Sequence, residues 1–172
     1  MGWWYRAGGA AVAAMLAAGI LGGCGSPRMA ATVRPPTPTP TERQLITTLA
    51  QRAIGTVAQS VSATYSAADG TVIVTATVAW MTDVSAAQEQ VKTICFRAQA
   101  ALWTSGIALS RVTVIVLGPL IDLYADRSMG PYGTAVLTAA NAAKFTWASL
   151  SADGAWEAYD NVFLRLAFND AG

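Results

Sequence analysis

Between residues 71 and 118 the hydrophobic pattern changes twice, and this change limits the fold more than any other feature of the chain. Residues 71–80 alternate, with Val72, Val74, Ala76, Val78 and Trp80 on one side and mostly threonine on the other, the period of a half-buried strand. Val84, Ala87, Val91, Ile94, Cys95, Ala98 and Leu102 then recur at helical spacing, and Gly106 ends that stripe. Ser85 and Gln88 have the spacing of a capping box, so the helix is expected to open there. Residues 111–118 are rich in β-branched side chains and read as a second strand, closed by Pro119. Strand, helix, strand in this order make a βαβ unit, whose strands are expected to be parallel and its crossover right-handed.

The flanks extend this unit. Thr41 and Gln44 form another capping-box pair behind Pro40, and Ile46, Leu49, Ala53, Val57 and Val61 then follow the helical period, so a first helix is expected from residue 41 to about residue 63. Asp69-Gly70 marks the turn into the first strand. After a connection over 119–131, residues 132–138 alternate as a third strand, expected antiparallel to the second. Residues 139–168 read as one or two helices with Trp147, Leu150, Trp156, Tyr159, Val162, Phe163 and Leu166 as core candidates. The order helix, strand, helix, strand, strand, helix predicts an α+β fold, a two-layer sandwich with helices packed on one face of a small mixed sheet. Residues 41–172 are enough for one such domain with a real core and too few for two. The opposite sheet face, with Thr71, Thr75, Thr77 and Thr113, is expected to be solvated or to serve as a docking surface.

The residues before this domain have a different purpose. Arg6 and the amino terminus form a short positive region, and residues 7–21 carry no charge and no strongly polar side chain. That stretch fits a signal peptide and falls short of the roughly 20 apolar residues a membrane-spanning helix needs. Leu21-Gly22-Gly23-Cys24 follows directly and resembles the lipobox of bacterial lipoproteins. The resemblance implies that residues 1–23 are removed, that the Cys24 thiol takes a diacylglyceryl group and that its new amino terminus is acylated. Several acyl chains on one residue hold a protein firmly to a membrane, at about 0.8 kcal/mol per buried methylene. Gly25 stands where many lipoproteins retained at an inner membrane carry aspartate, so either a plasma or an outer membrane suits the anchor. Residues 24–40 then form a spacer, since Pro27, Pro35, Pro36, Pro38 and Pro40 favour an extended chain of about 3.1 Å per residue. The expected address is a membrane surface on the extracytoplasmic side.

Chemistry is sparse. The chain has 11 Lys and Arg against 10 Asp and Glu, and Arg6 would leave with the leader, so the mature side chains balance. The basic residues are scattered, which argues against nucleic acid as a partner. There is no histidine, so Cys-His and Ser-His-Asp machinery and the commonest metal ligand are excluded together. Cys95 lies on an apolar helical stripe and is expected to be a small buried hydrophobe. No metal and no cofactor is expected.

The candidate binding residues are Asp122, Tyr124, Asp126, Arg127 and Tyr132, which gather polar and aromatic side chains in or beside one connection between strands. A calcium loop would need more oxygen ligands at tighter spacing. This stretch, with residues 141–147 and Tyr159-Asp160, resembles exported bacterial domains with an Asp-x-Tyr-Gly turn before a strand and a later Asn-Trp. Ala125 replaces the glycine here and Thr146 the asparagine, and those domains bring no assigned activity. Asp153, Glu157 and Asp160 are spaced to share one helical face and are expected to be solvated. The whole reads as a binding or scaffold module and not an enzyme, with an envelope protein or glycan as its partner. An envelope enzyme or metal-dependent protein working through residues 122–132 is the alternative.

Overall fold

The computed structural model describes residues 41–122, 127–165 and 169–170, all within one compact unit, Pro38–Gly172. The fold is α+β, as the pattern predicts. Helix α1 (Glu42–Ile54) leads through a short 3-10 turn (Gly55–Val57) into strands β1 (Ser60–Ser66) and β2 (Thr71–Thr77). Helix α2 (Val84–Trp103) crosses to β3 (Arg111–Asp122), which returns as β4 (Arg127–Thr138). Two short helices, α3 (Ala139–Ala142) and α4 (Ala152–Ala158), precede β5 (Asn161–Leu164) and β6 (Asn169–Asp170).

The sheet runs β1-β2-β3-β4-β5. Only the central β2–β3 pairing on that path is parallel, with Thr71 opposite Arg111 and Thr77 opposite Leu117. The β1–β2, β3–β4 and β4–β5 pairs are antiparallel. Strand β6 joins β3 in parallel at Ile121 and Asp122, beyond the point where β2 has ended. The βαβ unit is therefore present, with α2 as its crossover.

The core lies between this sheet and the helices. Val72, Val74 and Ala76 of β2, Val112, Val114 and Val116 of β3, and Ala135 and Leu137 of β4 are fully buried. Ile46, Ala50 and Ile54 of α1 and Val91, Ile94, Cys95, Ala98 and Leu102 of α2 are buried with them. One polar side chain joins them. Gln99 Nε2 donates to the carbonyls of Val112 at 3.1 Å and Ala135 at 3.4 Å, and its Oε1 accepts from Trp103 Nε1 at 2.8 Å. A buried amide so satisfied costs little, and it ties α2 to two strands at once.

Several boundaries differ from the sequence expectation. The capping box at Thr41 forms in both directions, but α1 stops at Ile54 instead of continuing to residue 63. Gly55 takes φ +60, a conformation disfavoured for other residues, and its N–H closes the last turn on the Gln51 carbonyl. Val57 and Val61 are thus off the helix, and Val61 pairs with Ala76 in a strand the sequence reading missed. The cap of α2 is Asp83, whose carboxylate accepts from Ser85 N at 2.9 Å and Ala86 N at 3.1 Å; Ser85 is inside the helix. Pro119 does not close β3. Opposite it stands Met129 of β4, while β2's last partner is Leu117, so proline occupies a position with one strand neighbour. Strand β4 begins at Arg127, well before residue 132. The closing segment holds two short helices and a strand, not helices alone. Trp80, Val162 and Phe163 are 38%, 41% and 45% exposed and are not core residues, and Leu166 lies outside the described residues.

Candidate functional site

The candidate loop is mostly sheet. Asp122 ends β3 and Arg127 opens β4, whose backbone stands opposite Ile121. Tyr124 and Asp126 lie outside the described residues, as do Cys24 and the rest of residues 1–40. Tyr132 is a core residue and not a surface ring beside a loop. The β3–β4 register shifts between Val116 and Leu117, so that Gly133 faces Val116 and Pro131 faces Leu117, leaving Tyr132 as the extra residue of a bulge. Its ring lies over Gly118, where an added Cβ would stand 2.4 Å from the ring carbons. Its hydroxyl donates to the Pro119 carbonyl, and burial pushes its pKa up against the pull of the Arg165 charge.

Asp153 and Glu157 stand four residues apart on α4, but Asp160 lies beyond the helix, so the three do not share one helical face. Asp153 binds Lys92 Nζ at 2.7 Å and so joins α4 to α2, while Lys92 also meets Glu89 at 3.2 Å. Asp160 lies past the end of α4 and turns to a different set of donors. It accepts from Thr138 N at 2.5 Å and from the amide of Asn141, whose Oδ1 in turn accepts from Lys144 Nζ at 2.6 Å. Partial burial pushes the Asp160 pKa up, but the Thr138 and Asn141 hydrogen bonds and the Lys144 charge outweigh it and hold the carboxyl below its ordinary value. Asn141 and Asp160, separate in the sequence, are brought together here.

Cys95 is fully buried, and burial pushes its thiol far above the ordinary range, so it is a core residue and a poor nucleophile. Among the described residues no group of three or more Cys, Asp or Glu is placed to hold a metal ion. No helix among them is long and apolar enough to cross a membrane.

The face of the sheet turned away from the helices is built mainly from hydroxyl and aliphatic side chains. Its residues follow from the register: Ser62, Thr75, Ile115, Thr134 and Phe163 form one row across five strands, and Thr64, Ile73, Thr113, Val136 and Asn161 the next. Ser66, Thr71, Arg111 and Thr138 flank them on one side, and Ser60, Thr77, Leu117 and Pro131 on the other. Hydroxyls thus alternate with aliphatic side chains, and Arg111 supplies the one charge of these four rows. Ile73 is 40% exposed. The sequence reading found four of the threonines and missed the interleaved Ile73, Ile115, Leu117 and Val136, which lie on strands it placed; the rows they form across the sheet follow from the register. No protein-family model, curated protein or solved structure matches the chain.

Proposed function

We propose that this protein is a lipid-anchored, extracytoplasmic binding module that meets an envelope partner through the open face of its sheet. The anchor is Cys24 in its lipobox setting, and residues 24–40 are the spacer that carries the domain away from the lipid surface. The observation that carries the binding role is the open face itself: four cross-strand rows of hydroxyl and aliphatic side chains with one charge among them. Such a surface is costly to leave half wet and has little charge to desolvate, which suits an uncharged protein surface or a glycan. Membrane attachment is through lipid, and nucleic acid is not a partner.

Two experiments test the two halves of this reading. With an alkyne fatty acid in the growth medium, wild-type protein should be labelled and Cys24→Ala should not; a labelled Cys24→Ala protein would defeat the anchor. A photoreactive amino acid placed at Thr75 or Thr113 in cells should give a discrete adduct, whereas the same group at the exposed Gln51 of α1 should not. Adducts from Gln51 alone would move the binding surface to the helices.

A further inference from the structure

Away from the sheet face, the end of α3, the turns that follow it and the last residue of α4 line an open cleft of about 510 Å³. This is the size of a small-molecule site. Phe145, Leu150 and Ala158 give it apolar walls. The Phe145 ring is fixed by neighbours, with the Trp147 ring centroid at 4.9 Å and that of Tyr159 at 6.2 Å. Asn141, Lys144 and Ser149 supply its polar groups.

The cation of this cleft is placed by a relay. The backbone N–H of Thr138 holds the Asp160 carboxylate, Asp160 accepts from the Asn141 amide, and the Asn141 oxygen takes one N–H of Lys144. An ammonium has three donors, and Lys144 spends one of them on Asn141. Asp160 is not part of the lining and meets the cleft through Asn141. No acidic side chain is among the lining residues, and Lys144, whose charge also acts on Asp160 behind Asn141, is the one cation of the lining, beside an apolar floor. The Ser149 hydroxyl, which donates to the Thr146 carbonyl at 3.2 Å, keeps its acceptor capacity for a donor on a bound molecule.

We infer that this cleft binds a small organic monocarboxylate with an apolar body, the carboxylate on Lys144 and the body against Phe145 and Leu150. A phosphate would ask for a second cation or a guanidinium fork, and the lining provides neither. A primary amine would meet the ammonium directly and be repelled.

Fluorine NMR on the full-length protein in nanodiscs, with empty nanodiscs as reference, tests this with three probes of similar size and different charge: para-fluorobenzoate, para-fluorobenzamide and para-fluorobenzylamine. The benzoate should bind saturably, and at least tenfold more tightly than either of the others, the span expected of one charge-assisted hydrogen bond. Lys144→Met should lose that tenfold preference, Lys144→Arg should keep it, and Leu150→Trp should abolish binding by filling the floor. Lys144 is exposed, so its variants should melt like the wild type. The inference is overturned if benzoate does not saturate, if benzamide binds as tightly, or if folded Lys144→Met retains the preference. Because no residue lining the cleft lies on the sheet face, either result leaves the crosslinking test of the face independent.

Discussion

The two faces of one sheet differ in almost everything except their backbone. On β2 and β3 the residues at even positions, Val72, Val74, Ala76, Val112, Val114 and Val116, are wholly buried under α1 and α2. The odd positions between them carry threonine or isoleucine and stay partly in water. Burying a valine or isoleucine side chain is worth about 1.5–3 kcal/mol, so the helix-covered face supplies the driving force for folding. The open face gains only part of that burial. Its β-branched residues suit a pleated surface, so its composition is compatible with the strand while leaving the face available for contact. Position parity along a strand thus separates the packed face from the face proposed for recognition, and a one-residue slip would exchange them.

Ile94→Ala should break the comparison most severely if the assignment of faces is wrong. Ile94 is fully buried on α2, and its truncation should cost about 2–5 kcal/mol in a denaturant melt. A loss below about 1 kcal/mol would mean that the helices are not the main cover of the sheet. Gly118→Ala comes next, because its new Cβ would press on the Tyr132 ring, and overpacking of this kind costs about 1–3 kcal/mol. Gly118→Ala combined with Tyr132→Leu should recover part of the loss by making room; no recovery would place the strain elsewhere.

The Asp160 effect is smaller and is read from the pH dependence of stability. Its folded pKa lies below the unfolded value of about 3.9, so its contribution is complete above that pH and is lost as the pH falls through the folded value. Asp160→Asn should therefore flatten the acid limb of a stability curve below about pH 4, and an unchanged limb would remove Asp160 from the account. The smallest effect belongs to the open face. Ile73→Ala should shift stability by only about 0.5 kcal/mol or less, while sharply reducing crosslinking from Thr75. A large stability loss at Ile73 would make this face part of the core.

The βαβ unit was legible because its period changes cleanly, and because α2 presents an unbroken apolar stripe. Strand β1 was not. Its inward residues Val61, Ala63 and Tyr65 alternate with hydroxyls, but Val57 and Val61 also fit a helical step, and a turn at Gly55 decides between the two. Pro119 misled because proline is a poor strand residue in general, yet it is tolerated where a strand has one neighbour, and that depends on where β2 ends. Tyr132 reads as a binding residue because it borders the connection over 119–131; the bulge that turns it over Gly118 is a property of two strands in register. Gln99 is absent from the apolar stripe read in the sequence, and only the fold brings the Val112 and Ala135 carbonyls within its reach. The Asn141–Asp160 contact joins residues from either side of α4, and no local spacing announces it.

The parallel register between β2 and β3 also has a consequence in time. Strands β1 and β2 can zip as a hairpin, and β3 and β4 as another, since each pair is adjacent in the chain. Joining the two hairpins requires Thr71 to find Arg111 across the whole of α2, and the gain comes only after that long loop has closed. The seam between hairpins should then form last and limit the rate of refolding, with α2 acting as the splint that aligns it. While that seam is open both of its facing edges are unpaired, and it is then, before the native state exists, that the folding chain is most open to wrong partners.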